Sequence, residues 1–243
     1  MPTPIKLSAI VETVIEHTDT VKSLILKPQK KCPNFKPGQF MHIAIDEYEP
    51  GFNWPESRVF SIANSPTRRE LLKMTFAIKG EFTRRLFNEV RQGSTIWVKL
   101  PYGSLQFPEN YDGELYFIAG GTGITPFLAH LEYAIDKEHN TPISLCYGIR
   151  TPENLIFDSI LYECYNKLEH FNCRIFIENG VYVKGFEHVQ KGILSIQPIY
   201  EKLAEIPNPI FYLSGPPQMI HNFNQTLRHW GVPKTKIIVD NWE

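Results

Sequence analysis

Apolar and polar residues alternate with a period of two through much of the first half of the chain. Leu72, Met74 and Phe76, for example, interleave with Lys73 and Thr75, which is the pattern of a strand with one buried face. Stretches of strand character lie at residues 5–12, 20–27, 41–45, 58–63, 72–78 and 95–100. Six short strands separated by turn formers predict a small antiparallel β-barrel.

One helix interrupts this predicted barrel. Leu86, Phe87 and Val90 form an apolar stripe at helical spacing, and Thr83 is placed to cap the first turn. We therefore expect a short helix between the fifth and sixth strands.

The second half alternates continuous apolar runs with amphipathic helical patterns. Phe127, Leu128, Leu131 and Ile135 share one helix face, for example. The apolar runs predict strands at residues 115–119, 143–147, 174–177, 210–213 and 237–239. Apolar strands that alternate with helices indicate a parallel sheet covered on both faces. We expect a Rossmann-like α/β domain with a five-stranded parallel sheet.

A polar stretch with several turn formers, residues 107–113, separates the two patterns. Charge also differs across it, with 15 basic and 11 acidic residues in 1–110 but 10 basic and 15 acidic residues in 111–243. We predict a β-barrel domain at 1–107 and an α/β domain at 112–243.

Composition excludes several classes of protein. The 243 residues carry a formal net charge of -1 and are 42% hydrophobic, which argues against a dedicated nucleic-acid binder and against disorder. No apolar run approaches the length of a membrane span, and the first residues contain no apolar segment typical of a secretory signal. Cys32, Cys146, Cys164 and Cys173 are scattered and match no zinc or iron–sulfur pattern. We expect reduced thiols, no metal and a cytoplasmic protein.

The strongest local motif is Gly-Gly-Thr-Gly-Ile-Thr-Pro at residues 120–126, directly after a predicted strand and at the start of a helix. Glycines let the backbone approach a ligand closely, and a helix N-terminus attracts phosphate. Pro126 suits the first helical turn. The spacing alone is compatible with phosphate binding or with a tight strand-to-helix turn.

A second motif, Arg58-Val59-Phe60-Ser61, lies on a barrel strand. In one ligand, the guanidinium of Arg58 could contact a phosphate, the ring of Phe60 could contact a ring face, and the hydroxyl of Ser61 could contact a ring heteroatom. An exposed arginine beside a core phenylalanine is the simpler alternative, and the motif by itself does not decide between them.

Together the two motifs resemble those of the ferredoxin–NADP reductase superfamily. Further segments resemble family motifs in the same order along the chain: Gly38-Gln39-Phe40, Gly80-Glu81-Phe82-Thr83, Pro101-Tyr102-Gly103, Tyr147-Gly148-Ile149-Arg150 and Ser214-Gly215-Pro216-Pro217-Gln218-Met219. The resemblance extends over essentially the whole chain and implies a stand-alone flavoprotein without an iron–sulfur domain.

The resemblance implies FAD on the barrel domain. Arg58 would pair with the flavin pyrophosphate, Phe60 would stack on the isoalloxazine, and Ser61 would bond near flavin N5. Backbone N–H groups would contact the pyrophosphate at Gly80, Phe82 and Thr83. Phe60 and Ser61, with Ser214 of the second domain, are the residues implied to act in catalysis.

The resemblance also implies a nicotinamide dinucleotide on the second domain, with Ser214 beside the nicotinamide in the position where the family usually has cysteine. The residues implied to line this dinucleotide are Gly121, Thr122, Gly123, Pro126, Arg150, Glu178, Gly215 and Pro216. We expect NADH to be favoured over NADPH, because the Glu178 carboxylate can accept a bond from a ribose 2′-hydroxyl and repels a 2′-phosphate. Arg150 and Lys184 are basic neighbours that oppose this preference.

The implied activity is hydride transfer from NAD(P)H to FAD, followed by electron transfer to a separate ferredoxin, flavodoxin or oxygenase component. Two alternatives stay open: a flavin reductase that releases reduced flavin, and a non-catalytic flavin-binding or nucleotide-binding sensor. Basic residues of the barrel half could steer an acidic acceptor protein: Lys30, Lys31, Lys36, Arg68, Arg69, Arg84 and Arg85. The resemblance also suggests that Trp242 covers part of the flavin and acts as a gate. The sequence leaves the oligomeric state undetermined.

Overall fold

The structure, a computed structural model, describes residues 3–108, 111–180, 185–186 and 188–240. The chain forms two compact units. The first extends to Phe107 and includes Thr125–Tyr133, and the second contains Pro108–Ile124 and the described residues from Ala134 to Asp240.

The first unit is a six-stranded antiparallel sheet that curls into a nearly closed barrel, as predicted. Its strands are β1 (Ile5–Glu16), β2 (Val21–Pro28), β3 (Phe40–Ala44), β4 (Ser57–Ser61), β5 (Leu72–Ala77) and β6 (Thr95–Tyr102). The order across the sheet is β4-β3-β6-β1-β2-β5, so β4 and β5 are its two edges. Just beyond β4, the Ala63 N–H donates to the Lys73 carbonyl oxygen of β5 at 2.8 Å, which draws the two edges together at that end.

The alternation seen in the sequence sets the barrel core. Along β1, Leu7, Ala9 and Val11 are buried, whereas Lys6 and Ser8 between them are more exposed. Residues from every strand join one apolar cluster, among them Leu24, Met41, Phe60, Leu72, Met74 and Val98. Burial of this inward face holds the register, because a slip by one residue would turn the apolar side chains outward.

The predicted helix, α1 (Glu81–Glu89), follows β5. Its N-cap is Gly80, and Thr83 is the third helical residue rather than the cap. The Thr83 hydroxyl accepts hydrogen bonds from the N–H groups of Lys79 and Gly80, at 2.8 and 3.0 Å. The expected threonine therefore satisfies the backbone at the helix start, but from inside the first turn. Phe82 and Leu86 anchor the helix in the core.

The second unit is built on a six-stranded parallel sheet. Its strands are β7 (Leu115–Gly120), β8 (Ile143–Ile149), β9 (Phe171–Ile177), β10 (Val189–Lys191), β11 (Ile210–Ser214) and β12 (Ile237–Val239). Five of them are the predicted strands. The additional strand, β10, is a three-residue edge strand of sequence Val-Gln-Lys, too short and too polar to give an apolar run.

The remaining helices are α2 (Thr125–Asp136), α3 (Asp158–Lys167), α4 (Gln197–Tyr200) and α5 (Pro217–His229). Leu227 of α5 is fully buried, and Met219, Ile220 and Phe223 are partly buried against the apolar cluster on that side of the sheet. No helix in the described ranges is long and apolar enough to cross a membrane.

The order of the parallel sheet, β10-β9-β8-β7-β11-β12, contains a reversal in strand order. From β7 the chain adds β8, β9 and β10 on one side, and then returns to add β11 and β12 on the other. In open α/β sheets, ligands bind outside the carboxyl ends of the strands at such a switch point. Here it lies between β7 and β11, where the glycine-rich motif and Ser214 are found.

Candidate functional site

Arg58 and the first turn of α1 lie close together beside the gap between the edge strands β4 and β5, which we call the seam. Arg58 lies on β4, and its guanidinium carbon is 5.3 Å from the ring centre of Phe82, in the first turn of α1. Arg58 also donates to the Glu56 carboxylate at 2.8 Å, with both side chains about half exposed. Such surface ion pairs are weak, so a phosphate could take the place of Glu56.

The start of α1 offers both space and donors. Gly80 has extended backbone geometry, and no heavy atom lies within 4 Å of the position that a Cβ would occupy there. The first N–H groups of a helix have no carbonyl one turn earlier to bind, and the helix dipole favours an anion at this end. With Arg58 close by, the N–H groups of Phe82 and Thr83 form a site suited to a phosphate or pyrophosphate. The Gly80 N–H, predicted to join them, instead donates to the Thr83 hydroxyl.

Phe60 and Ser61 lie at the end of β4 but are both buried. Phe60 is 7% exposed, belongs to the barrel core and meets Phe76 edge-to-face at 6.0 Å. Ser61 is 4% exposed and stands opposite Phe40 of β3. The structure thus brings the Arg58 motif to the seam but gives Phe60 a core position, so its stacking on a flavin remains a prediction.

Asn64, which the sequence analysis does not single out, organises the loop after β4. Its side-chain N–H2 donates to the carbonyl oxygens of Ser65, Arg68 and Leu71, and its amide oxygen accepts from the Lys73 N–H at 2.8 Å. One side chain therefore ties the loop after β4 to β5 beside Ser61. The sequence signal was an asparagine followed by Ser-Pro at the end of a strand, where asparagine often organises a turn.

The glycine-rich motif leads from β7 into a 3-10 turn, Gly121–Ile124, before α2 begins at Thr125. Glycine is required where the backbones approach most closely. A Cβ on Gly123 would lie 2.5 Å from the Ser214 carbonyl oxygen. Gly121 has a φ of +55°, and the space beside it is open. Thr122 lies within this turn and Pro126 is the second residue of α2.

Ser214 is 2% exposed, and its hydroxyl donates to the Asp240 carboxylate at 3.0 Å. The Asp240 N–H donates to the Leu213 carbonyl oxygen at 2.9 Å, which fixes the pair at the carboxyl ends of β11 and β12. Gly215 follows with a φ of +150°, and Pro216 precedes α5. Asp240 was not predicted, although a carboxylate directly after the last strand was a usable signal.

Arg150 and Glu178 come together at the same edge of the sheet. The N–H groups of Glu178 and Asn179 donate to the carbonyl oxygens of Ile149 and Arg150, at 3.1 and 2.8 Å. The side chains of Arg150 and Glu178 are exposed. The predicted roles of Lys184 and Trp242 fall outside the described residues.

Burial shifts the pKa of several other titratable groups. Burial, with a further contribution from Lys99, lowers the pKa of His42, whose ring meets Tyr102 edge-on at 4.8 Å. Burial raises the pKa of Cys32 to about 11 and that of Cys146 to about 12, so both thiols stay protonated and unreactive. Within the described ranges, no group of three or more His, Cys, Asp or Glu side chains is arranged to hold a metal ion.

Residues 117–225 match the oxidoreductase NAD-binding domain family. The chain is 29% identical over 240 residues to the reductase component of propane 2-monooxygenase from Mycolicibacterium smegmatis, an alignment that covers 96% of this chain and 66% of that protein. The chain therefore spans about two thirds of the length of this relative.

Two solved structures share the fold. A ferredoxin reductase in carbazole 1,9a-dioxygenase aligns with a TM-score of 0.78 and 24% identity, covering 100% of this chain and 70% of that one. A ferredoxin NADP+ reductase from Neisseria gonorrhoeae, with bound FAD and NADP, aligns with a TM-score of 0.75 and 21% identity, covering 98% of each chain.

Proposed function

We propose that the chain is a flavin-dependent reductase of the ferredoxin–NADP reductase superfamily, which the matched NAD-binding family, the reductase relative and the shared fold support. It takes a hydride from NAD(P)H and passes electrons to a separate redox protein such as a ferredoxin, a flavodoxin or an oxygenase component. The observation that carries the proposal is the placement of the Arg58 guanidinium beside the first turn of α1 at the barrel seam.

The seam fits the pyrophosphate of FAD. Arg58 supplies a planar fork of donors suited to phosphate, Gly80 leaves the approach open, and the first turn of α1 supplies N–H groups. Phe60 and Ser61 would flank the isoalloxazine at the end of β4. The bound flavin would supply the capacity to accept a hydride and release electrons, while the protein aligns the two cofactors.

The switch point of the parallel sheet fits the nicotinamide dinucleotide. Gly121, Thr122 and Gly123 lie between the ends of β7 and the start of α2, where phosphate oxygens can meet backbone N–H groups. Pro126 follows in α2. On the β11 side, Ser214, Gly215 and Pro216 would face the nicotinamide end.

We propose a preference for NADH over NADPH. Glu178 is exposed at the carboxyl end of β9, where its carboxylate repels a 2′-phosphate and accepts a bond from a 2′-hydroxyl. Arg150, held next to it by the backbone hydrogen bond to Asn179, favours the 2′-phosphate. We propose that the repulsion between Glu178 and the 2′-phosphate outweighs the attraction between Arg150 and the 2′-phosphate.

We propose that the electron acceptor is an acidic protein. Exposed basic residues of the barrel support this, because their positive charge would attract such a partner. Lys30, Lys31, Lys36 and Arg84 are exposed. Arg85 differs, because it is bound to both Asp46 and Glu89, so those carboxylates cancel its charge. The four cysteines are free and buried, which is consistent with the reducing cytoplasm that we propose as its location.

Anaerobic titration of the FAD-loaded protein with NADH tests the function. We expect the flavin absorption band to bleach at about one NADH per flavin, and ferricyanide to restore it. Rapid reduction of added free FMN, together with weak retention of FAD, would favour the flavin-reductase alternative. A flavin band that NADH and NADPH both leave unchanged would favour the sensor and contradict the proposal.

A further inference from the structure

We propose that Glu132 of α2 is a positioning residue for hydride transfer to the flavin. Its carboxylate holds the segment of chain that directly follows Ser61, and it thereby sets the position of the Ser61 hydroxyl. The inference rests on the proposed function, because that function places Ser61 beside the isoalloxazine. It goes further, since Glu132 lies outside both the glycine-rich motif and the Arg58 motif.

Backbone hydrogen bonds and one side chain fix the segment after Ser61, which is the last residue of β4. The Ala63 N–H donates to the Lys73 carbonyl oxygen at 2.8 Å, and the Ser65 N–H donates to the Oε2 atom of Glu132 at 3.0 Å. The second of these acceptors belongs to a side chain. A substitution can therefore remove it and leave the backbone hydrogen bonds of the strand in place.

The hydrogen bond between Ser65 and Glu132 is shielded from water, because Ser65 is 0% exposed and Glu132 is 9% exposed. A buried N–H group that loses its acceptor incurs the full cost of its desolvation. The chain around Ser65 would then shift until this N–H group finds another acceptor. Glu132 therefore determines the position that the segment adopts.

The other oxygen of the carboxylate faces a cation. The Oε1 atom of Glu132 lies 4.0 Å from the Nζ atom of Lys73, whose side chain is 27% exposed. Burial of a carboxylate is unfavourable unless its charge is paired, and Lys73 supplies that pairing. The Lys73 N–H also donates to the Asn64 amide oxygen at 2.8 Å. Lys73 thus contacts the segment through its backbone and supports Glu132 through its side chain.

The position of this segment affects the reaction through Ser61. Ser61 is 4% exposed, and its pairing with Phe40 is the last between β4 and β3. Beyond that pair, the position of the chain depends on the contacts of Ala63 and Ser65. Hydride transfer requires close alignment of the reacting atoms, and a misplacement of about 1 Å can slow a reaction roughly 100-fold. Loss of the Glu132 hydrogen bond should therefore lower the rate of the hydride step more than the affinity for either cofactor.

Two conservative variants separate the hydrogen bond from the charge. Glu132→Gln keeps an oxygen at the same position along the side chain and removes the negative charge. Glu132→Asp keeps the charge but is one methylene shorter, so its oxygens no longer reach the Ser65 N–H. Stopped-flow measurement of flavin bleaching in the FAD-loaded protein, at saturating NADH, gives the rate of the hydride step. The flavin absorption spectrum reports the surroundings of the ring.

We expect Glu132→Gln to retain the wild-type rate to within about threefold, because a neutral oxygen still accepts from the Ser65 N–H. Glu132→Asp should slow flavin reduction roughly tenfold or more and shift the flavin spectrum. The dissociation constants for FAD and NADH should stay within about threefold of wild type in both variants. If Glu132→Asp does not retain FAD, Glu132→Met, which has a similar length and no oxygen, replaces it in the same comparison.

Glu163→Asp is the matched control. Glu163 lies on α3, where its carboxylate is 2.6 Å from the Nζ atom of Lys167 and its side chain is 41% exposed. This change shortens a helical glutamate by the same methylene, but the ion pair that it disturbs is at the surface. The variant should keep the wild-type rate and spectrum.

The failures of the two proposals are distinguishable. If NADH does not reduce the flavin of the wild-type protein, the proposed function is wrong. If NADH reduces the flavin and Glu132→Asp matches the wild-type rate and spectrum, whatever its free energy of unfolding, Glu132 is merely structural and the positioning role is wrong. If Glu132→Gln is slowed as much as Glu132→Asp, the charge matters rather than the hydrogen bond, and the inference is equally wrong.

Discussion

Lys22 of β2 donates to the carbonyl oxygen of Phe87 at 3.1 Å, and its ammonium lies 3.9 Å from the centre of the Phe87 ring. The Glu16 carboxylate oxygen lies 2.7 Å from the same ammonium. The lysine side chain is only 7% exposed. A cation at the C-terminal turn of α1 stabilises the helix dipole, so Lys22 fixes the far end of the helix whose first turn is proposed to bind phosphate.

Lys22→Met should therefore lower the free energy of unfolding by about 1–3 kcal/mol, because the Phe87 carbonyl loses a charged donor. The FAD affinity should fall as well, since α1 is held less firmly. Chemical denaturation and flavin titration measure the two effects. Lys27→Met is the control on the same strand: Lys27 is exposed and lies 3.9 Å from Glu12, so its loss should change neither quantity appreciably.

Arg58→Ala should weaken FAD binding by roughly 10–100-fold, which is the usual loss for a charged hydrogen bond to phosphate. Arg228→Ala is the comparison, because Arg228 is an exposed arginine on α5, in the other unit. Flavin fluorescence on dilution measures the dissociation constants. Similar losses in the two variants would contradict a specific role for Arg58.

Gly123→Ala should destabilise the fold by about 1–3 kcal/mol, because the added Cβ meets fixed backbone atoms of Ser214 and Gly215. It should also abolish binding of NAD+. Gly80→Ala places a methyl group in open space on extended backbone, so its unfolding free energy should stay close to wild type. Thermal unfolding and calorimetry report both outcomes. A stable Gly123→Ala protein would show that the two loops can move apart.

Acid should destabilise the protein through His17. Burial is the main cause that lowers the pKa of His17, and the charge of Lys73 adds to it; the ring also shares a 2.7 Å hydrogen bond with Ser23. The unfolded histidine titrates near 6.5, so the unfolded state binds more protons than the native state as pH falls below that value, and stability falls with it.

Denaturation at pH 7.5 and 5.5 should show this loss, and His17→Gln should reduce it. His229→Gln serves as the control, because His229 is exposed on α5. The chosen range stays above pH 5, so protonation of the salt-bridged carboxyls of Glu16 and Asp46, whose pKa values are lowered by Lys22 and Arg85, does not obscure the result.

Glu178→Arg should reverse the coenzyme preference, raising the ratio of kcat/KM for NADPH over NADH at least about tenfold, as expected when a repelling charge becomes an attracting one. Glu178→Gln should give a smaller change in the same direction. Steady-state reduction of ferricyanide measures both. A wild-type preference for NADPH would contradict the assignment of Glu178.

The two-domain fold could be predicted because the buried positions of each strand or helix recur at a regular spacing, and apolar residues occupy those positions in the sequence. Leu72, Met74 and Phe76 alternate because β5 has one face in the core, and Leu115 to Ala119 are continuously apolar because β7 is covered on both faces. β10 and α4 were missed, since three and four residues are too few to establish a period. Their formation depends on neighbours that only the fold supplies.

Site residues could be predicted from the sequence where a glycine or an arginine is part of a recognisable motif. Contacts between two side chains that are distant in the sequence could not be predicted in this way. The hydrogen bond between Ser214 and Asp240 joins residues 26 positions apart, and only the parallel pairing of β11 and β12 brings them together. The position of Phe60 inside the core likewise depends on Phe76 across the seam. Sequence spacing carries no information about such partners.

The four hydrogen bonds of Asn64 have a consequence for the chemical ageing of the protein. Asparagine before a small residue such as Ser65 is prone to deamidation, which requires the side-chain carbon to meet the next backbone nitrogen. Here the amide is buried and held by three carbonyl oxygens and one N–H group. An aspartate at this position would turn a donor into an acceptor facing those same carbonyl oxygens. The native fold thus protects the side chain that it depends on, and damage at Asn64 would accumulate in molecules that have spent time unfolded.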